Sequence, residues 1–115
     1  MPTTMITYPV RNDDQVSVDV GSGEGQPGGS SIMLGTNMIA SGGGFLQAMV
    51  GSGKSIRGQK LLIVTVVENK NVAANNRTSQ DVAVKGGTAA KPILQQQTAA
   101  KLGDKVTFVT VVTFI

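Results

Sequence analysis

The sequence predicts an all-β domain, an antiparallel β-sandwich or jelly-roll-like barrel of about seven to nine short strands. Three observations predict it. Several segments alternate apolar and polar residues with a period of two, which puts one face of a strand in a core and the other in solvent. Glycine-rich or polar turn signals separate these segments, and the chain holds 15 glycines in 115 residues. No long stretch carries the 3.6-residue periodicity of an amphipathic helix. A chain of this length makes one domain, spanning residues 1–115.

Residues 4–10 form the first expected strand, with Ile6, Tyr8 and Val10 on one face. Arg11, Asn12, Asp13 and Asp14 make a polar turn cluster. Residues 15–20 alternate strictly, so Val16, Val18 and Val20 point inward. Residues 21–31 are dominated by glycine and read as a loop, leading into a strand at Ile32, Met33 and Leu34. Gly35, Thr36 and Asn37 suggest a hairpin turn into Met38, Ile39 and Ala40. Residues 41–44 read as a flexible turn, residues 45–50 as a strand or short helix, and residues 51–58 as a second glycine- and serine-rich loop. Residues 59–68 hold a near-continuous apolar strand, and residues 69–76 a polar turn region. Residues 78–85 form a strand with Val82 and Val84 inward, broken by Gly86 and Gly87. A strand over residues 92–98 and a connector over residues 99–105 lead to the last segment.

That last segment is the most β-prone of the chain. Val106, Phe108, Val112 and Phe114 share one face with Thr110, while Val109, Val111 and Ile115 share the other with Thr107 and Thr113. Both faces are apolar or β-branched, which suits a strand covered on both sides. Left bare, it would template aggregation. Val106, Phe108, Val109, Val111, Val112, Phe114 and Ile115 are therefore the candidate assembly residues.

Composition excludes several chemistries. There is no cysteine and no histidine, so disulfides, thiol nucleophiles, zinc sites of the His/Cys kind and Ser-His triads are out. The aromatic set is Tyr8, Phe45, Phe108 and Phe114. This disfavours carbohydrate and single-stranded nucleic acid, which stack on aromatic platforms. The net charge is +3 but unevenly placed: residues 1–50 hold one arginine against four acidic residues, and residues 51–115 hold nine basic residues against three. The basic residues stand singly, the pattern of a solvated sheet face. Lys54, Arg57 and Lys60 are nevertheless close in sequence and are the candidate contacts for an anionic partner. No basic leader and no apolar run of membrane-span length is visible. The expectation is a cytoplasmic protein, or an extracellular one if a leader has been removed.

Two segments imitate nucleotide motifs. Residues 48–55 match a relaxed phosphate loop, with Ala48 for the first glycine and Lys54 and Ser55 at the functional positions. A phosphate loop must open a long helix and a crossover, yet the next apolar strand begins about five residues later. Residues 23–28 match G-x-G-x-x-G, but lead straight into a strand rather than a helix. Both read as turns. Asp13, Asp14 and Asp19 are the only grouped carboxylates with a cation in prospect, and solvated turn acids are the simpler reading. Asn76, Arg77 and Thr78 spell a glycosylation sequon, and Gln95, Gln96 and Gln97 a polar strand face. No metal, cofactor or catalytic set is expected.

The sequence thus points to a non-enzymatic structural or assembly protein, a sandwich subunit or accessory of a homo-oligomer or filament, or one paired with other protein subunits. The alternative is a binding module whose glycine-rich loops converge on an anionic or carbohydrate ligand. A nucleotide-binding protein using residues 48–55 is the remote alternative.

Overall fold

The structure is a computed structural model and describes residues 2–22, 27–70, 77–86 and 93–115. It is a two-sheet β-sandwich. Its elements in chain order are β1 (Thr3–Tyr8), β2 (Gln15–Ser22), β3 (Gly28–Leu34), β4 (Asn37–Gly43), β5 (Leu46–Ser52), α1 (Gly53–Ile56), β6 (Lys60–Glu68), β7 (Arg77–Lys85), β8 (Ile93–Ala99) and β9 (Lys105–Phe114). One sheet has five strands in the order β1-β9-β6-β3-β4; the other has four in the order β5-β2-β7-β8.

The alternating segments form strands because alternation gives each one apolar face to bury. Val16, Val18 and Val20 of β2 and Val82 and Val84 of β7 face Ile32, Leu61, Ile63, Val112 and Phe114 across the sandwich. Tyr8 completes this core, its ring edge-on to Phe114 with centroids 6.2 Å apart. Ile56 of the four-residue α1 plugs the core and is almost fully buried.

Three differences from the sequence reading have physical causes. Residues 28–31 and 41–43 are strand rather than loop. Glycine is poor in isolated strands, but here backbone pairing on both sides of β3 holds it, and Gly28 lies where a Cβ would stand 3.0 Å from both Ser22 Cβ and the Val66 carbonyl. β1 runs parallel to β9, with Tyr8 beside Phe114, in an otherwise antiparallel set of described pairs. A pairing between the two ends of the chain needs no tight turn, so no turn imposes an antiparallel sense. Third, β9 is an inner strand covered on one face only; its outer residues are half-buried.

The core is not apolar throughout. Thr110 Oγ1 donates to Gln80 Oε1 at 2.6 Å, and Gln96 Nε2 donates to Thr110 Oγ1 at 3.0 Å and to the Val109 carbonyl at 2.8 Å. Gln80 Nε2 donates to Thr65 Oγ1 at 2.8 Å, which is 2.8 Å from Ser30 Oγ. This chain of side chains crosses from one sheet to the other, and its members are buried. Each member of this layer is paired, so the layer fixes how the sheets are set against each other.

Candidate functional site

The outer face of the five-stranded sheet carries one row that is apolar from one edge to the other. The registers place Met5 beside Val111, Val111 beside Leu62, Leu62 beside Met33 and Met33 beside Met38, one residue from each strand. The next row sets Val109 and Val64 between Thr3 on one side and Ser31 and Ser41 on the other, and the one after it sets Val66 between Thr107 and Gly29. Alternation decides this face: in β6, Leu61, Ile63, Thr65 and Val67 fill the interior, so Leu62, Val64 and Val66 must point away from it. Met5 is 68% exposed and Met38 55%. Charge appears only at the ends of the face, with Lys60 at one and Glu68 and Lys105 at the other. Beside Lys60 a shallow trough of about 570 Å³ is floored by Leu62 and Val111 and walled by Met5.

The four-stranded sheet presents a different outer surface. Gly21 pairs with Asp81 and Asp81 with Gln95, while Phe45, immediately before β5, lies over Gly21. In the next row Asp19 is flanked by Gln47 and Ala83. Lys85 forms an ion pair with Asp19, and Gln95 Nε2 donates to Asp81 Oδ1 at 3.0 Å. Gly21 and Ala83 are the small residues of this surface, and the taller side chains around them leave a groove of about 360 Å³.

The candidate residues fall in separate places. Of the β9 set, Phe108, Val112 and Phe114 are fully buried in the interior and Val106 is part-buried on the same side; Val109 and Val111 are on the outer face and Ile115 is exposed at the strand end. Arg57 is already engaged: its Nη1 donates to Asn12 Oδ1 and its Nη2 to the Val10 carbonyl, both at 2.7 Å. Its guanidinium clamps the turn at residues 11–14 and does not join Lys54 and Lys60 in facing solvent as one group. The backbone donors of the phosphate-loop match are engaged too. Gly53 N–H donates to the Asp14 carbonyl at 2.8 Å and Lys54 N–H to the Asn12 carbonyl at 3.1 Å. The segment links an edge strand to a four-residue helix capped by Ser52, so its N–H groups cradle the protein's own carbonyls.

The glycine-rich segments do not converge at one end. Gly21 and Phe45 lie at one end of β2, and residues 51–58 at the other, where Gln15 pairs with Ser52. Asp14 accepts from Arg11 N–H at 2.8 Å, away from Asp19 on the sheet face. Gln95 and Gln97 face outward as a polar strand face, but Gln96 is in the interior. Residues 23–26 of the G-x-G-x-x-G match and Asn76 of the sequon lie outside the described residues. Among the described residues no helix is long and apolar enough to cross a membrane.

Compared with known proteins, the chain matches no family model, and no curated protein or solved structure shows significant similarity to it.

Proposed function

We propose that the protein is a non-enzymatic structural subunit that works by assembly with further copies of itself, through the outer face of the five-stranded sheet. The observation that carries the reading is the row of Met5, Val111, Leu62, Met33 and Met38, which runs unbroken across all five strands. A sheet face of this kind is stable in water when a second layer covers it. Strands about 4.8 Å apart and three outward rows about 6.8 Å apart give a footprint of roughly 500 Å² per copy, so a pair buries roughly 1,000 Å², the lower bound for a specific interface.

A second copy suits this face because its charges stand only at the ends of the strands, and two such faces pack as aligned sheets do inside a sandwich. Flexible Met5, Met33 and Met38 can fill the gaps between the valines of the opposing copy. The two-fold arrangement that reverses the strand direction is favoured, since it keeps the two Lys60 side chains at opposite ends. The engagement of Arg57 and of the Gly53 and Lys54 N–H groups turns the reading away from an anionic or nucleotide partner.

Size-exclusion chromatography with light scattering tests it. The expected result is a dimer or larger particle that Leu62→Lys or Val111→Lys converts to a folded monomer. A monomer of 11.8 kDa at every concentration overturns it.

A further inference from the structure

We propose that the groove on the outer face of the four-stranded sheet binds a neutral carbohydrate ring, with Phe45 as the stacking platform and Asp19, Asp81 and Lys85 as hydroxyl partners. The groove lies on the opposite face of the sandwich from the assembly surface, so the two proposals stand independently.

A sheet surface is ordinarily flat, because neighbouring side chains rise to similar heights. Here Gly21 and Ala83 sit where a tall side chain would close the surface. Phe45 stands at the margin, 65% exposed, with its ring edge 3.5 Å from where a Cβ on Gly21 would be. Phe45 is thus an exposed aromatic ring beside a depression, whereas Phe108 and Phe114 fill the interior.

The groove's polar side chains are the carboxylates of Asp19 and Asp81, the Ser22 hydroxyl and the Lys85 ammonium, which together offer several acceptors and donors. Asp81 takes one amide hydrogen from Gln95 and retains acceptor capacity. Asp19, only 13% exposed at its side chain, is held by Lys85, itself an extra donor to a ligand. A pyranose matches this set: its C–H face packs on Phe45 while its hydroxyls donate to carboxylates and accept from Lys85. Two carboxylates repel a phosphate or an acidic ligand, and Lys85 repels a cation. The volume of about 360 Å³ suits one or two sugar rings and lies at the small end of ligand sites. An open groove of this kind implies millimolar affinity for a single ring. In an assembled particle, many copies would present it outward and gain by multivalency. The shortage of aromatic residues in the sequence disfavours carbohydrate; a single aromatic suffices when the fold places it beside the depression.

Saturation-transfer difference NMR tests the proposal on the whole protein, whatever its assembly state. The probes are the methyl glycosides of glucose, galactose, mannose and N-acetylglucosamine, with tetramethylammonium as the cationic control. The expected result is saturation of the ring C–H protons of at least one glycoside. Phe45→Ala should abolish it, Asp81→Asn should weaken it by roughly tenfold, and Phe45→Trp should preserve it. Leu62→Lys, on the opposite face, should leave it unchanged, which separates this result from the assembly test. No saturation of any glycoside, saturation unaffected by Phe45→Ala, or saturation of tetramethylammonium alone would overturn the proposal.

Discussion

Gly86 and Gly103 both adopt positive φ, +99° and +90°, yet they are not equivalent. A Cβ on Gly86 would sit 1.8 Å from the Gln15 carbonyl oxygen, whereas nothing lies within 4 Å of one on Gly103. Gly103→Ala should therefore cost about 1–2 kcal/mol, the backbone strain alone, and Gly86→Ala about 3 kcal/mol or more, because the backbone of β2 must also move. Urea denaturation of the two variants measures the difference. The sequence marks Gly86 as a strand breaker and places Gly103 in a connector; only the position of β2 shows which one has no room. At the same scale, Thr110→Val keeps the shape of the side chain but removes the hydroxyl that donates to Gln80 and accepts from Gln96. It should cost about 1–3 kcal/mol through the unpaired amides left behind, not through a cavity. Thr110 was legible as a polar break in an apolar strand face, but its partners were not, since Gln80 and Gln96 come from the other sheet.

At the scale of elements, β1 decides whether the chain exchanges strands. If residues 1–10 paired with a neighbour, their removal would leave soluble, folded monomers. The structure instead places Tyr8 and Val10 in the chain's own core and ties Val10 N–H to the Ile115 carbonyl at 2.9 Å. Deletion of residues 1–10 should unfold the protein, and Tyr8→Ala should cost about 3–5 kcal/mol, both read by circular dichroism during thermal melting. The turn at residues 11–14 is a poor hinge, because Arg57 and the N–H groups of Gly53 and Lys54 grip it. The glycine-rich segments show the limit of reading elements locally. Residues 28–31 and 41–43 carry turn composition, yet long-range pairing with β6 and between β3 and β4 makes them strand.

At the scale of the whole molecule, two forms of self-association make opposite predictions. The charge imbalance between the halves of the chain suggests head-to-tail contacts, which salt would screen. The apolar face of the five-stranded sheet predicts the reverse. Its oligomer should persist from low salt to about 1 M, where the Debye length falls to about 3 Å, and light scattering across that range distinguishes the two. The sequence by itself determined the all-β class, most strand cores, which residues of β2 and β7 face inward and which residues of β9 share a face. Period-two alternation is a local property, so one strand's worth of residues suffices to state it. The tertiary structure alone decided the strand order, the parallel pairing of β1 with β9, the buried Gln80–Thr110–Gln96 layer and both candidate surfaces. Most connections switch between sheets, and only the two hairpins β3–β4 and β7–β8 stay within one. Neighbours in space are therefore distant in sequence. The apolar row draws one residue from each of five strands, and the groove sets Phe45 beside Asp81, 36 positions away along the chain. No window of the sequence holds either set together, and it is the registers of long-range pairing that do.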